Sequence, residues 1–167
     1  IKGKGDFVKI DYLKRYLQKA DNIEIKKYIL LTLVQVCESK NIINEAIKNL
    51  MLATELSIAN SERIELFMKE SELYSKIRDF NMAEKAIKKA KAISSSQEKL
   101  EVNQRYLDML RHQAESADKE GKIRHALEYY EKLYTLRQSE PKKIEVREKL
   151  TEIYEKLGMN TKKFLNN

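Results

Sequence analysis

Residues 71–90 read SELYSKIRDFNMAEKAIKKA and predict the end of one helix, a short turn and a second amphipathic helix. A small side chain lies on each side of the turn, Ser71 before it and Ala83 after it. Tyr74 and Ile87 supply larger side chains beside them. Two antiparallel helices approach most closely where both carry small residues, and larger neighbours then fill the space beside the crossing. The segment therefore predicts a helical hairpin.

The same pattern returns elsewhere in the chain at a nearly constant interval. Ala46, Ala83 and Ala126 stand 37 and 43 residues apart, each near the start of a predicted second helix. The columns that keep this register are Val34, Ser71 and Ala114; Cys37, Tyr74 and Ala117; Leu50, Ile87 and Tyr130; and Ala53, Ala90 and Leu133. One hairpin buries only part of its apolar face, so it is stabilised by the next hairpin stacked on it. The sequence thus predicts an all-α fold of repeated antiparallel helix pairs.

These segments resemble the tetratricopeptide repeat (TPR), a helix–turn–helix unit of about 34 residues. The best matches are residues 71–90, 114–133 and 150–158, with Gly121 and Gly158 at signature positions. The signature Trp is absent and the intervals are longer than usual, so the chain is similar to a divergent form of the repeat. The resemblance implies a right-handed α-solenoid (a TPR-like superhelix) that serves as an interaction scaffold, because this fold hosts many partners.

The register also predicts where the repeats begin and end. Counting back from Ala46 places Gly5 in a turn, so the chain opens on the second helix of a repeat whose first helix is missing. We expect one TPR-like repeat domain over residues 1–167 that is a fragment of a longer array. Its predicted parts are a second helix at 6–21, repeats at about 24–60, 61–94 and 97–138, and a partial or capping repeat at 139–167, in which residues 160–165 leave room for one or two turns.

Helix boundaries follow from local capping chemistry. Ser95 with Glu98 three residues later forms a predicted capping box. Ser139 is a predicted N-cap, followed by Pro141 in the first turn, where a missing N–H costs nothing. The extra residues of the 43-residue interval predict a helix of about 24 residues, or ~36 Å, that ends near Glu120.

Composition limits the class of protein. The 167 residues are 42% apolar and 35% charged with one Pro and four Gly, which is typical of amphipathic helices in a soluble protein. The apolar runs are shorter than the ~18 residues of a membrane span, so no membrane insertion is predicted. Cys37 is the single cysteine, which favours a reducing, cytoplasmic setting. The net charge of +7 is compatible with a solvated surface or an anionic partner.

The sequence offers no set of groups that suits catalysis. His112 and His125 are predicted on different helices, and neither has a cysteine or carboxylate at metal-ligand spacing. Cys37 occupies a packing column, where a small apolar side chain fits the helix crossing. No glycine-rich phosphate loop or nucleophile elbow occurs. We therefore expect no enzyme activity, no metal and no cofactor.

The repeated columns also predict which tyrosines are buried. Tyr74, Tyr130 and Tyr154 are predicted in the core. Tyr106 and Tyr129 fall outside these columns, where an exposed tyrosine could anchor a peptide or stack on a base. Because no basic groove surrounds them in the sequence, we expect them to fill the core or its rim.

The resemblance implies a concave groove lined by the first helices. Its predicted peptide-binding residues are Tyr28, Leu31, Gln35, Glu65, Met68, Glu72, Asp108, Arg111, Glu115, Glu148 and Glu152; the same positions also include Glu38, Ser39, Ser75, Lys76, Asp118, Lys119, Glu145, Glu155 and Lys156. Ten of these side chains are acidic and four are basic. We expect an acidic groove with apolar anchors at Leu31 and Met68, and a basic convex back that carries Lys85, Lys88, Lys89 and Lys91.

The charge pattern indicates the class of partner. Family members that hold a C-terminal carboxylate use Lys and Asn at groove positions where this chain has Leu31, Met68, Arg111 and Glu148, so an acidic tail is disfavoured. The leading hypothesis is a scaffold that binds a basic or amphipathic peptide or helix of a protein partner. The alternatives are nucleic acid or another anionic partner on the basic back, and a ligand-sensing half of a larger regulator. Self-association through apolar helix faces at the two ends is a further prediction.

Overall fold

The computed structural model describes residues 5–159 as helices joined by short turns, and it has no strand in that range. The helices are α1 (Asp6–Lys19), α2 (Ile23–Ser39), α3 (Ile43–Leu56), α4 (Asn60–Lys76), α5 (Phe80–Ala92), α6 (Ser96–Lys119), α7 (Ile123–Thr135) and α8 (Glu140–Lys156). The prediction of an all-α fold is confirmed over these residues. The predicted helical turns at residues 160–165 lie outside the described part of the chain.

The chain divides into two compact units at the middle of α6. Unit 1 extends to Asn103 and holds α1 to α5 with the first part of α6. Unit 2 begins at Gln104 and holds the rest of α6 with α7 and α8. In unit 1 each of the first four helices packs against the next one along the chain, and in unit 2 α7 packs against α8. This neighbour-to-neighbour order agrees with the predicted series of helix pairs.

Four helices, α2, α4, α6 and α8, end in turns that share one backbone conformation. Each turn contains a residue in the left-handed region, and these residues are Asn41 (φ 57°), Arg78 (φ 61°), Gly121 (φ 72°) and Gly158 (φ 64°). After each of them, an N–H closes the helix end on a carbonyl five residues back, as in the 2.8 Å bond from Ile42 to Cys37 and the 2.8 Å bond from Lys122 to Ala117. This is the Schellman arrangement, which satisfies carbonyl groups at a helix end.

The spacing of these turns reproduces the register predicted from the alanine columns. Arg78 follows Asn41 by 37 residues, Gly121 follows Arg78 by 43, and Gly158 follows Gly121 by 37. The extra residues of the long interval lie in α6, which has the expected 24 residues. The TPR resemblance is therefore matched by a repeated turn as well as by repeated packing positions.

Helix ends elsewhere follow the predicted caps. The Ser95 N–H donates a 2.7 Å hydrogen bond to Glu98 Oε2, and the Glu98 N–H donates to Ser95 Oγ, which is the expected capping box. Ser139 occupies the N-cap of α8 with Pro141 in the first turn, although its side chain makes no capping hydrogen bond. Local sequence thus fixes where these helices start.

The small residues of the repeated columns are buried. Ala46, Ala83 and Ala126 are completely buried, as is Ser71. In unit 1 they are accompanied by larger buried side chains such as Leu33 and Leu50, and in unit 2 by Leu133, Leu150 and Ile153. These columns are therefore core positions, as the repeat pattern predicts.

Two tyrosines outside the repeated columns are buried. Tyr106 and Tyr129 are only 3% and 6% exposed, which agrees with the expectation that they fill the core or its rim. Tyr106 lies on α6 and Tyr129 on α7, next to the core residues Leu107 and Tyr130, so their helices bury a wider face than the column pattern predicts. Neither ring is available as a surface anchor.

Every helix among residues 5–159 is too short or too polar to cross a membrane. This agrees with the shortness of the apolar runs in the sequence.

Candidate functional site

The apolar end of the predicted groove is only partly accessible. In unit 1, Tyr28 is 72% exposed, Gln35 and Glu65 are exposed, and Leu31 is half-buried. Met68 was expected to be an apolar anchor, but it is 8% exposed and packs in the interior of unit 1. Because α4 buries Leu66, Phe67 and Met68 in succession, its buried face is broader than the repeat positions imply.

In unit 1, the groove carboxylates Glu38 and Glu72 form ion pairs with lysines of the protein itself. Lys69 Nζ lies 3.0 Å from Glu38 Oε2 and 3.1 Å from Glu72 Oε2. Lys76 forms ion pairs with the same two carboxylates, at 3.0 Å from Glu72 Oε1. Two acidic and two basic side chains therefore form one cluster between α2 and α4. This stretch offers little net negative charge to a partner, because its charges already compensate one another.

The cluster also shifts the pKa values of Glu38 and Lys76. Partial burial of Glu38 acts to raise its pKa, but hydrogen bonds from Lys76 and Lys69 outweigh it, so the pKa of Glu38 is lowered from its ordinary 4.5. Partial burial disfavours the charged form of Lys76, yet hydrogen bonds to Glu38 and Glu72 prevail and raise its pKa. In both cases, hydrogen bonds between the oppositely charged side chains stabilise the ionised form of the residue.

In unit 2, some of the predicted groove residues form ion pairs or hydrogen bonds within the protein, and two of the carboxylates form no ion pair among the described residues. Asp108 accepts a 3.2 Å hydrogen bond from Arg111 Nη1, and Arg111 Nη2 donates to Gln138 Oε1 at 3.3 Å. Glu152 lies 2.9 Å from Lys149 Nζ on the same face of α8. The remaining carboxylates, Glu115 and the exposed Glu148, have no ion pair among the described residues.

A small cavity of about 220 Å³ lies among α6, α7 and α8 of unit 2. Its lining residues are Arg111, Glu115, Asp118, Lys119, Tyr130, Glu145, Val146 and Lys149. Glu115 and Asp118 come from α6 one turn apart, and Glu145 comes from the first turns of α8. Tyr130 on α7 is 4% exposed and provides the inner wall. We call this the unit 2 cavity.

Three carboxylates and three cationic side chains line the unit 2 cavity. Burial is the main cause that raises the pKa of Tyr130, and the nearby carboxylates of Glu115 and Asp118 raise it further. Lys149 acts in the opposite direction. Glu145 adds a smaller contribution of the same sign as the other carboxylates. Three acidic side chains from two helices therefore act on one buried phenol.

Two of the three cations of this cavity pair with carboxylates that do not line it. Arg111 is held by Asp108, and Lys149 is held by Glu152, whose hydrogen bond is the main cause that raises the pKa of Lys149. The third cation, Lys119, is exposed to solvent. Glu115, Asp118 and Glu145 have no ion pair within residues 5–159. The three cavity carboxylates are thus open to a cation from outside the described residues.

The sequence predicted part of this constellation. Glu115, Asp118, Glu145 and Arg111 belong to the predicted groove positions, and the structure brings them to one cavity. Lys149 was missed, because its role depends on the distance between α6 and α8 and on no local pattern. Tyr130 was predicted as a core residue, and it is both buried and part of the cavity wall.

The groups considered for catalysis are separate in the structure. Cys37 is completely buried, and burial is the main cause that raises the pKa of its thiol. His112 is exposed on α6, and His125 is half-buried on α7. No group of three or more His, Cys, Asp or Glu side chains suited to a metal ion occurs among the described residues.

A second cavity, in unit 1, was not anticipated from the sequence. Its charged residues Arg63, Glu70 and Lys89 lie on α4 and α5, where the repeat pattern assigns only packing positions and a basic back. A charged residue at a core-facing position, such as Glu70 beside the small Ser71, is the signal that could have revealed it.

No family model matches the chain, and no curated protein matches it in sequence. In structure the chain is similar to BtubC (BKLC) from P. vanneervenii, with a TM-score of 0.46 and 17% identity over 92% of this chain and 67% of that chain. It is also similar to the nearly identical TPR-like repeats of a Podosopora anserina kinesin light chain, with a TM-score of 0.45 and 13% identity over 92% of this chain and 79% of that chain.

Proposed function

We propose that the chain is a non-catalytic scaffold that binds a basic or amphipathic segment of a protein partner. The observation that carries this proposal is the unit 2 cavity, where Glu115, Asp118 and Glu145 lack an ion pair within the described residues. Two of its three cations, Arg111 and Lys149, pair with carboxylates outside the cavity. A Lys or Arg side chain of the partner enters this cavity.

The chemistry of the cavity favours a cationic side chain over other ligands. A volume of about 220 Å³ is below the usual ~300–1,000 Å³ of small-molecule sites and suits a single side chain. Tyr130 and Val146 offer apolar contacts to the methylene stem of a Lys or Arg. The carboxylates then surround the charged end, where hydrogen bonds between ionised groups are stronger than neutral ones.

The helices that carry these carboxylates make the site rigid. Glu115 and Asp118 lie on the last turns of α6, and Glu145 lies on α8. Side chains on packed helices hold their positions better than those on loops, so less entropy is lost on binding. A partner helix or extended peptide with one well-placed cation would gain specificity from this arrangement.

The test is a fluorescence-anisotropy titration of the full chain with pools of basic and acidic peptides of equal length, and with a duplex DNA and an RNA, at two salt concentrations. We expect saturable binding of basic peptides. The triple variant Glu115→Gln, Asp118→Asn and Glu145→Gln should weaken it about tenfold or more, because charge-assisted hydrogen bonds are lost. Glu155→Gln is the matched control, since Glu155 is exposed on α8 and does not line the cavity.

Two outcomes contradict the proposal. If basic peptides bind the triple variant as tightly as they bind the original chain, the cavity has no role in binding. Binding of nucleic acid alone, with affinity that falls steeply as salt rises, would move the function to the lysine-rich face of α5.

A further inference from the structure

Unit 1 contains a larger cavity of about 410 Å³ among α3, α4 and α5. Met51, Arg63, Phe67, Glu70, Lys89 and Ile93 are among its lining residues. This volume lies within the ~300–1,000 Å³ typical of sites for small molecules. We call it the unit 1 cavity.

One ion pair crosses the wall of the cavity. Lys89 Nζ on α5 lies 3.2 Å from Glu70 Oε1 on α4, and the Glu70 side chain is only 2% exposed. A buried carboxylate without a partner is strongly destabilising, so Lys89 compensates its charge. The Lys89 side chain itself is 45% exposed, and its ammonium has three donors, of which Glu70 uses one.

Arg63 lacks a comparable partner. Its Nε is buried and has no hydrogen-bond acceptor among the described residues. Its guanidinium carbon lies 5.8 Å from the centre of the Phe67 ring, and Lys89 Nζ lies 5.5 Å from the same centre. Two cations therefore lie against one aromatic ring at the cavity wall.

The cavity wall keeps hydrogen-bond donors that its own acceptors do not use. Four charged residues line it, Glu55, Arg63, Glu70 and Lys89. Glu70 is paired with Lys89, and Glu55 is exposed to solvent. Thr54 cannot donate to a ligand, because its hydroxyl already donates a 2.8 Å hydrogen bond to the Leu50 carbonyl. The wall is left with an unused donor on the buried Arg63 Nε and with further donors on the Lys89 ammonium.

We propose that the unit 1 cavity binds a carboxylate attached to an apolar body. The carboxylate accepts hydrogen bonds from Arg63 and Lys89, and the apolar body packs against Met51, Phe67 and Ile93. A carboxylate on an apolar body uses both the donors and the apolar lining, whereas a phosphate brings about two negative charges and has no apolar part. This site lies in unit 1 and does not depend on the proposed function of unit 2.

The experiment is isothermal titration of the full chain with three probes on one carbon skeleton: 3-phenylpropionate, 3-phenylpropanol and 3-phenylpropylamine. We expect 3-phenylpropionate to bind saturably and at least about tenfold more tightly than the alcohol, because the charge-assisted hydrogen bonds are absent from the alcohol. Arg63→Gln and Lys89→Gln should each weaken its binding by a similar factor. Lys88→Gln is the matched control, because Lys88 is the exposed neighbour of Lys89 on α5 and does not line the cavity.

A further pair of probes distinguishes the source of the carboxylate. A short peptide that ends in Phe with a free C-terminus is compared with its C-terminal amide. Tighter binding of the free peptide than of 3-phenylpropionate would identify a protein C-terminus as the ligand, and the reverse order would identify a small molecule.

Three results would overturn the inference. They are the absence of saturable binding by 3-phenylpropionate, equal or tighter binding by the amine, and binding that is unchanged in both Arg63→Gln and Lys89→Gln. Circular dichroism of each variant establishes that it is folded. The conservative Arg63→Lys keeps the charge and should retain more affinity than Arg63→Gln.

Discussion

The phenol of Tyr154 on α8 donates a 2.7 Å hydrogen bond to Glu131 Oε1 on α7. Burial is the main cause that raises the pKa of Tyr154 above its ordinary 10.0, and the hydrogen bond to Glu131 adds to it. This contact ties together the two helices that form most of unit 2.

Tyr154→Phe should lower the free energy of unfolding by about 1–2 kcal/mol, because Glu131 loses a donor while it stays partly buried. Urea denaturation monitored by circular dichroism measures the change. Tyr134→Phe is the control, since Tyr134 on α7 has a Lys143 ammonium 5.3 Å from its ring centre and that contact does not involve its hydroxyl. Equal losses in the two variants would show that the bond to Glu131 contributes nothing.

Gly121→Ala should destabilise the protein by about 1–2 kcal/mol. Gly121 has φ +72°, where an L-residue is strained, and an added Cβ would meet no atom within 4 Å, so the backbone alone sets the cost. Gly5→Ala is the matched control, because its Cβ also meets no atom within 4 Å while its φ of −56° is ordinary. Gly5→Ala replaces the N-cap of α1, where alanine is less favourable than glycine, and it should cost less than Gly121→Ala in the same denaturation measurement. A neutral Gly121→Ala would contradict the repeated turn.

The Glu38 cluster should make stability depend on pH in the acidic range. Since the folded pKa of Glu38 lies below its ordinary 4.5, the folded state binds this proton less tightly than the unfolded state. The stabilisation is therefore complete above pH 4.5 and is lost as pH falls through the folded pKa. Unfolding free energies of the original chain and Glu38→Gln should differ most above pH 4.5 and converge below it.

Glu155→Gln, at an exposed position of α8, serves as the control for this pH series. A difference between the original chain and Glu38→Gln that stays constant across the acidic range would show that the lysines do not stabilise the Glu38 carboxylate.

Lys89→Met should destabilise the chain by about 1–3 kcal/mol, because it leaves the buried Glu70 carboxylate without its cation. The double variant Glu70→Leu and Lys89→Met should recover most of this loss, since an apolar pair of similar size often replaces a buried ion pair without penalty. Thermal or urea unfolding of both variants measures this. Lys88→Met should have little effect, and a loss as large as that of Lys89→Met would point to a general effect of removing charge from α5.

Much of the fold could be predicted because its signals are local. The alanine columns, the capping box of Ser95 and Glu98, and the glycines at 121 and 158 each act within one hairpin. The structure also places Asn41 and Arg78 in the left-handed conformation, at positions equivalent to Gly121 and Gly158. Asparagine enters this conformation more readily than most residues, whereas arginine does not, so nothing in the local sequence marks Arg78.

The candidate sites could be predicted only in part. Charge positions on a helix face can be read from the sequence, and Glu115, Asp118 and Glu145 do line a common cavity. The pairing of Glu38 and Glu72 with Lys69 and Lys76 could not be predicted, because Lys69 lies outside the expected groove positions. The number of acidic side chains at the predicted groove positions therefore overstates the negative charge that unit 1 offers to a partner.

The sequence by itself determined the helices, their turns and their order, since helical periodicity, caps and left-handed turn positions depend on neighbours within a few residues. Tertiary structure alone decided which side chains between helices are buried or paired. It buried Met68, Tyr106 and Tyr129, and it placed Arg63 and Lys89 against one ring. The physical reason is that burial and ion pairing depend on distances between helices, which no periodicity within a single helix specifies.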